Sequence, residues 1–90
     1  MVSRTYYLPM NRNGFTDTSL VNVRKTAIDH MKKTGRRSMT IYTSHTRKIE
    51  IGTIVHSPSN RSLYVWCYRS MGKDMEAPIL PDGNISRKDH

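Results

Sequence analysis

The segment DTSLVNVRKTAIDHMKKTG at residues 17–35 has the strongest amphipathic pattern in the sequence. Apolar side chains recur in it at helical spacing and form one stripe, made by Leu20, Val23, Ala27 and Met31 and widened by Val21 and Ile28. This spacing predicts a helix that is capped by Asp17 or Thr18, runs to about Thr34 and is closed by Gly35. It is the only predicted helix, and a single helix can cover only one face of a sheet.

Four segments outside this helix are rich in β-branched and aromatic residues, which is typical of strands. They span residues 2–8, 38–44, 47–56 and 63–71, and the polar loop at residues 57–62 predicts a hairpin between the last two. Asn13-Gly14 predicts a turn after the first strand. The sequence therefore predicts an α+β fold with the order β-α-β-β-β, in which the helix packs on one face of a small, mainly antiparallel sheet.

The C-terminal segment, GKDMEAPILPDGNISRKDH, has neither the two-residue period of strands nor the 3.6-residue period of helices. It also contains two prolines, Pro78 and Pro81, and most of the acidic side chains of the chain. We therefore expect one basic domain at residues 1–71 and a mostly disordered, flexible tail at residues 72–90. Within the tail, the apolar residues 77–80 could fold back on the domain.

Charge and composition narrow the classes of function. The 90 residues include 15 Lys and Arg against 7 Asp and Glu, for a net charge of +8. This excess favours an anionic partner, either nucleic acid or an acidic protein. The sequence shows no apolar run long enough to span a membrane and no signal peptide, and it has a single cysteine, Cys67. We expect a soluble, cytoplasmic protein that contacts no membrane and has no disulfide.

No group of side chains in the sequence indicates catalysis or a bound cofactor. The domain has too few acidic residues for paired carboxylates, and Cys67 is predicted to lie in the core. The four histidines have neither i, i+4 spacing nor partner cysteines, so no metal site is expected; they are His30, His45, His56 and His90. The sequence therefore predicts a protein that is not an enzyme.

Alternation along the strands divides the predicted sheet into two faces. One face carries aliphatic side chains that match the helix stripe and form the predicted core: Met39, Ile41, Ile49, Ile51, Leu63, Val65 and Cys67. The opposite face carries Tyr42, Tyr64, Trp66 and Tyr68 together with Lys48. Because the helix would occupy the aliphatic face, the aromatic face is expected to stay open.

An open face with aromatic rings and cations is suited to unpaired bases, which stack on the rings while Lys and Arg bind phosphates. The sequence therefore predicts a small nucleic-acid-binding module, with single strands favoured. Its stacking residues would be Tyr42, Tyr64, Trp66 and Tyr68. Its phosphate-binding residues would be Lys48, Arg36, Arg37, Arg47, Arg61 and Arg69.

Several alternatives stay open at this point. The aromatic face could be covered by the tail or by a second copy in a homodimer. The protein could instead be a small regulator or inhibitor, derived from a phage or mobile element, that docks on an acidic protein. The basic residues at 32–37 could bind phosphate or simply balance the helix dipole. A register shift of one residue would exchange the two faces and bury the aromatic rings.

Overall fold

The computed structural model describes residues 4–10, 14–43, 49–60 and 62–86. They form one helix, α1 (Leu20–Thr34), and six strands: β1 (Tyr6–Leu8), β2 (Phe15–Asp17), β3 (Ser38–Thr43), β4 (Glu50–His56), β5 (Tyr64–Ser70) and β6 (Lys73–Ile79). The strands build one sheet in the order β2-β1-β3-β4-β5-β6, and every neighbouring pair is antiparallel. The predicted α+β class is confirmed.

Helix α1 forms where the apolar stripe predicts it. Ser19, rather than Asp17 or Thr18, is its N-cap. Gly35 ends it in a left-handed conformation, and its amide donates a 2.8 Å hydrogen bond to the Met31 carbonyl. The side of the helix that faces the sheet is the predicted stripe, with Val23, Ala27 and Met31 buried.

Two strands differ from the sequence prediction. β2 lies where only a turn and a helix cap are expected, and it pairs with β1. β6 lies in the segment predicted to be mostly disordered, so that prediction is wrong for residues 73–79. Met71 and Gly72 connect β5 to β6 with φ angles of 54° and 78°, as in a tight type I′ hairpin. Pro78 is tolerated because β6 is an edge strand.

The helix packs on the face opposite to the one expected for β5. Tyr64 and Trp66 are buried in the core, with 7% and 3% of their surface exposed. Val65 and Cys67 alternate with them and therefore lie on the other face. Ile49, also expected in the core, is 59% exposed. The core under α1 is formed by Leu8, Met39, Ile41, Ile54, Tyr64, Trp66 and Ile79, and Ile51 packs against it. The predicted division of faces therefore holds for β3 and for Ile51, where a β-bulge shifts the register of β4, and it fails for Ile49 and for β5.

Trp66 is the largest side chain of this core, and two small features make room for it. Its indole lies directly over Gly52 of β4, where an added Cβ would come within 2.5 Å of Cη2 and 2.8 Å of Cε2. The Arg24 guanidinium of α1 stacks over the indole, 4.6 Å from the ring centroid. Arg24 also donates a 3.1 Å hydrogen bond from Nη1 to the Gly83 carbonyl, which fixes the chain beyond β6 against the helix.

We expect Gly52→Ala to lower the free energy of unfolding by about 1–3 kcal/mol, because the new methyl group overlaps the indole. The same substitution in a Trp66→Leu background should cost clearly less, since the ring is gone. Urea denaturation followed by far-UV circular dichroism measures both costs. Equal costs in the two backgrounds would contradict the close packing of Gly52 against Trp66.

Candidate functional site

The stacking platform predicted from the sequence is not assembled. Tyr64 and Trp66 are buried, and Tyr68 lies on the same face, where it packs against the edge of the core. His56 stacks on Tyr64 with the ring centroids 4.7 Å apart, which holds the Tyr64 ring in the covered layer. Tyr42 alone among the four predicted stacking residues lies on the other face of the sheet.

That other face has no described element packed on it, and we call it the open face. Its members are half-buried by their neighbours in the sheet: Tyr7, Thr40, Tyr42, Thr53, Val55, Val65 and Cys67. Thr40 and Thr53 lie opposite each other in β3 and β4, and their hydroxyl oxygens are 3.1 Å apart. The open face therefore has small hydroxyl and aliphatic side chains across its middle and two tyrosines towards one side.

The predicted phosphate-binding residues are spread over the molecule. Arg36 and Arg37 are exposed and follow the end of α1. Arg69 lies at the far end of β5, where Nη2 donates to the Gly72 carbonyl (3.0 Å) and Nε is 3.8 Å from Asp74. Arg47, Lys48 and Arg61 fall outside the described residues. Arg36 is thus the predicted cation whose side chain lines a hollow together with Tyr42, and Arg37 follows it directly in sequence.

Lys32 and Lys33 join these two arginines at one end of the molecule, and we call this group of four the basic end. All four side chains are exposed, and they lie within six residues of chain that turn sharply at Gly35. Lys33 lies 3.5 Å from Asp29 in a solvent-exposed pair, which contributes little to stability. The basic end therefore presents a dense positive charge to solvent.

A shallow hollow of about 170 Å³ connects the basic end to the open face. Its lining includes Arg36 next to Ser38, Thr40 and Tyr42 of β3, with Pro9 on the far side. One continuous surface thus carries a guanidinium, two hydroxyl groups and an aromatic ring.

Acidic side chains concentrate at the opposite end of the sheet. The Arg37 carbonyl accepts a 2.9 Å hydrogen bond from the His56 amide, which places the basic end beside the last residue of β4. Glu50 begins the same strand, about 20 Å away at the usual rise per residue. Asp74 and Glu76 of β6 line a hollow together with Glu50. Arg69 lines the same hollow and Lys73 begins β6 beside it, so this end carries charges of both signs, whereas the basic end carries four cations.

Tyr7 is a residue that sequence reasoning missed. It lies directly opposite Tyr42, because β1 pairs with β3 in the sheet. Alternation along β1 places Tyr7 on the face opposite to Tyr6 and Leu8. Only the pairing of β1 with β3 shows that Tyr7 lies next to Tyr42. Such a long-range pairing is not visible in the local pattern of one sequence.

No known family, curated protein or solved structure matches this chain. Among the described residues, no three His, Cys, Asp or Glu side chains are placed to share a metal ion. The same part of the chain contains no helix with the length and apolar character needed to cross a membrane. The candidate site therefore consists of the basic end, the hollow and the open face.

We expect the fluorescence of Trp66 to peak at a short wavelength and to resist quenching by acrylamide, because only 3% of the surface of this residue is exposed. Oligonucleotides should leave this emission unchanged even when they bind. Steady-state fluorescence titration is the measurement. Strong quenching of Trp66 by acrylamide or by an oligonucleotide would contradict the buried position of the ring.

Cys67 lies on the open face opposite Glu76 of β6. Burial raises the pKa of its thiol above the ordinary value, and the negative charge of Glu76 raises the pKa further, since both disfavour the thiolate. We expect iodoacetamide to alkylate Cys67 more slowly at neutral pH than in the urea-unfolded chain, with the rate rising as the pH increases.

Glu76→Gln should lower the pKa of Cys67 and speed its alkylation at neutral pH in the folded protein. The pH dependence of the rate, followed by mass spectrometry, measures this effect. Asp82→Asn, which removes a carboxylate at another site, is the control. An unchanged rate in Glu76→Gln would show that Glu76 has no influence on the thiol.

Proposed function

We propose that this protein binds nucleic acid through the basic end and the adjoining hollow. The observation that supports the proposal most directly is the continuity of exposed cations with Tyr42, through a hollow lined by the Arg36 side chain. Phosphates would contact the basic end, and the open face would accept the rest of the nucleotide. This site includes Arg36, Arg37 and Tyr42 from the sequence prediction. It excludes the other three predicted stacking residues, Tyr64, Trp66 and Tyr68.

Electrostatics give the bound molecule an orientation. The basic end attracts phosphates, whereas at the far end of the sheet the carboxylates of Glu50, Asp74 and Glu76 outnumber Arg69 and Lys73. A net charge of +8 adds a general attraction for any polyanion, which strengthens encounter without selecting a site. Selection would come from the arrangement of the basic end next to the open face.

The cations at the basic end also complement the helix dipole, whose negative end lies there. This effect accounts for Lys32 and Lys33 in the last turn of α1. It does not account for Arg36 and Arg37, which follow the helix after the Gly35 break and lie beside the sheet. The two arginines are therefore the stronger argument for phosphate binding.

We expect Lys32→Gln combined with Arg36→Gln to weaken binding to a short oligonucleotide roughly tenfold or more at about 50 mM salt. The slope of log K against log salt should fall by about 1.4, since two phosphate contacts are lost. Fluorescence anisotropy of a labelled 10-nucleotide strand, repeated over a salt series, measures both quantities.

The matched control is Lys25→Gln combined with Lys73→Gln, which removes the same charge from exposed positions away from the hollow. It should weaken binding much less. Equal weakening by the two double variants would contradict the site. It would show that net charge alone accounts for the binding. Absence of binding to any oligonucleotide at low salt would overturn the proposal and favour an acidic protein as the partner of the basic end.

A further inference from the structure

The open face carries one aromatic pair, and its position is set by the sheet. Tyr7 of β1 and Tyr42 of β3 are direct partners in the antiparallel ladder, so their side chains leave the sheet next to each other. Both are half-buried. The pair lies beside the hollow that leads to Arg36, because Tyr42 lines that hollow.

The Tyr7 ring is held in place by a glycine. Gly14 lies just before β2 with a φ angle of 70°, and its amide donates a 2.9 Å hydrogen bond to the Met10 carbonyl. An added Cβ at Gly14 would come within 2.6 Å of Cε1 and 2.7 Å of Oη of Tyr7. The ring therefore lies directly against the backbone of this turn, which leaves it little freedom to rotate.

The neighbours of Tyr42 favour one path for a bound strand. On one side of Tyr42 lies Tyr7, and on the other side the ladder places Glu50 opposite it in β4. A phosphate backbone is repelled by Glu50 and attracted by Arg36. A strand would therefore run from the basic end through the hollow and across Tyr42 towards Tyr7.

We infer that Tyr42 and Tyr7 stack against unpaired bases, so that the ligand of this surface is single-stranded nucleic acid. The inference rests on the proposed function. A duplex presents its phosphates to the basic end but hides the faces of its bases, whereas a single strand offers both. The paired rings on the open face thus select single strands, whose bases are free to stack on a protein side chain.

The first test is Tyr42→Ala, with binding to a 10-nucleotide single strand and to a hairpin duplex of similar length measured side by side. We expect the single strand to lose roughly 5- to 150-fold in affinity, the range associated with one stacked base, and the weaker duplex binding to stay nearly constant. Tyr42→Phe should retain binding, since the ring remains. Val65→Ala, a truncation elsewhere on the open face, is the control.

Tyr42→Leu and Tyr42→Trp keep the test decisive if the alanine variant is unstable. Leucine preserves apolar packing without a stacking surface, so it should lose affinity for the single strand. Tryptophan adds an indole on the open face, and a bound single strand should quench it while the buried Trp66 emission stays constant. A thermal melt of each variant confirms that it is folded.

The outcomes separate this inference from the proposed function. If neutralising Lys32 and Arg36 weakens binding while Tyr42→Ala and Tyr42→Leu leave it unchanged, the basic end binds nucleic acid and the stacking inference is wrong. Duplex affinity equal to single-strand affinity would overturn the inference in the same way. If no oligonucleotide binds, both fail together.

Discussion

The contact of the Arg24 guanidinium with the Trp66 indole ties the helix, the sheet and the C-terminal part of the chain together. It joins three parts of the chain, because Arg24 lies on α1, Trp66 lies on β5 and the Gly83 carbonyl accepts a hydrogen bond from the guanidinium. Only 7% of the Arg24 surface is exposed. A buried cation is tolerated where an aromatic face and a carbonyl oxygen replace part of its hydration, and this site offers both.

This contact explains how one helix covers a six-stranded sheet. α1 packs on β1 to β4, and the chain after β6 closes the remaining part of the same face. That chain is fixed by the Arg24 bond to Gly83, by a bridge between Ile79 and Ile85 and by the 2.7 Å bond from the Ser86 amide to the Pro78 carbonyl. The residues beyond β6 thus complete the covered layer, which leaves the opposite face of the sheet to form the open face.

The helix and the positions of β3, β4 and β5 were predictable from the sequence, because each has a strong local pattern. The choice of face in β5 was not, since apolar side chains occupy both parities of YVWCYRS. The face of β5 that is buried depends on the space available for the Trp66 side chain. Trp66 fits into the core because Gly52 faces it from β4 and Arg24 covers it from α1. β6 was missed because its acidic residues and Pro78 are unusual for a strand, and only pairing with β5 stabilises it. Of the candidate site, Arg36, Arg37 and Tyr42 were found, whereas Tyr7 depends on the non-local pairing of β1 with β3.

The turn after α1 connects the fold to the proposed site. Gly35 ends the helix on the covered side of the sheet, and β3 begins at Ser38, so residues 35–37 must carry the chain from the helix layer to the sheet. Lys32 and Lys33 therefore lie in the last turn of the helix, and Arg36, on the connecting turn, lies at the edge of the open face. Because β3 continues directly from this turn, Tyr42 and Arg36 project to the same face with a fixed spacing. The register that buries Trp66 thus removes three aromatic residues from the predicted platform. The fourth, Tyr42, pairs with Glu50 of β4 and shares with the basic end only the hollow that the Arg36 side chain lines.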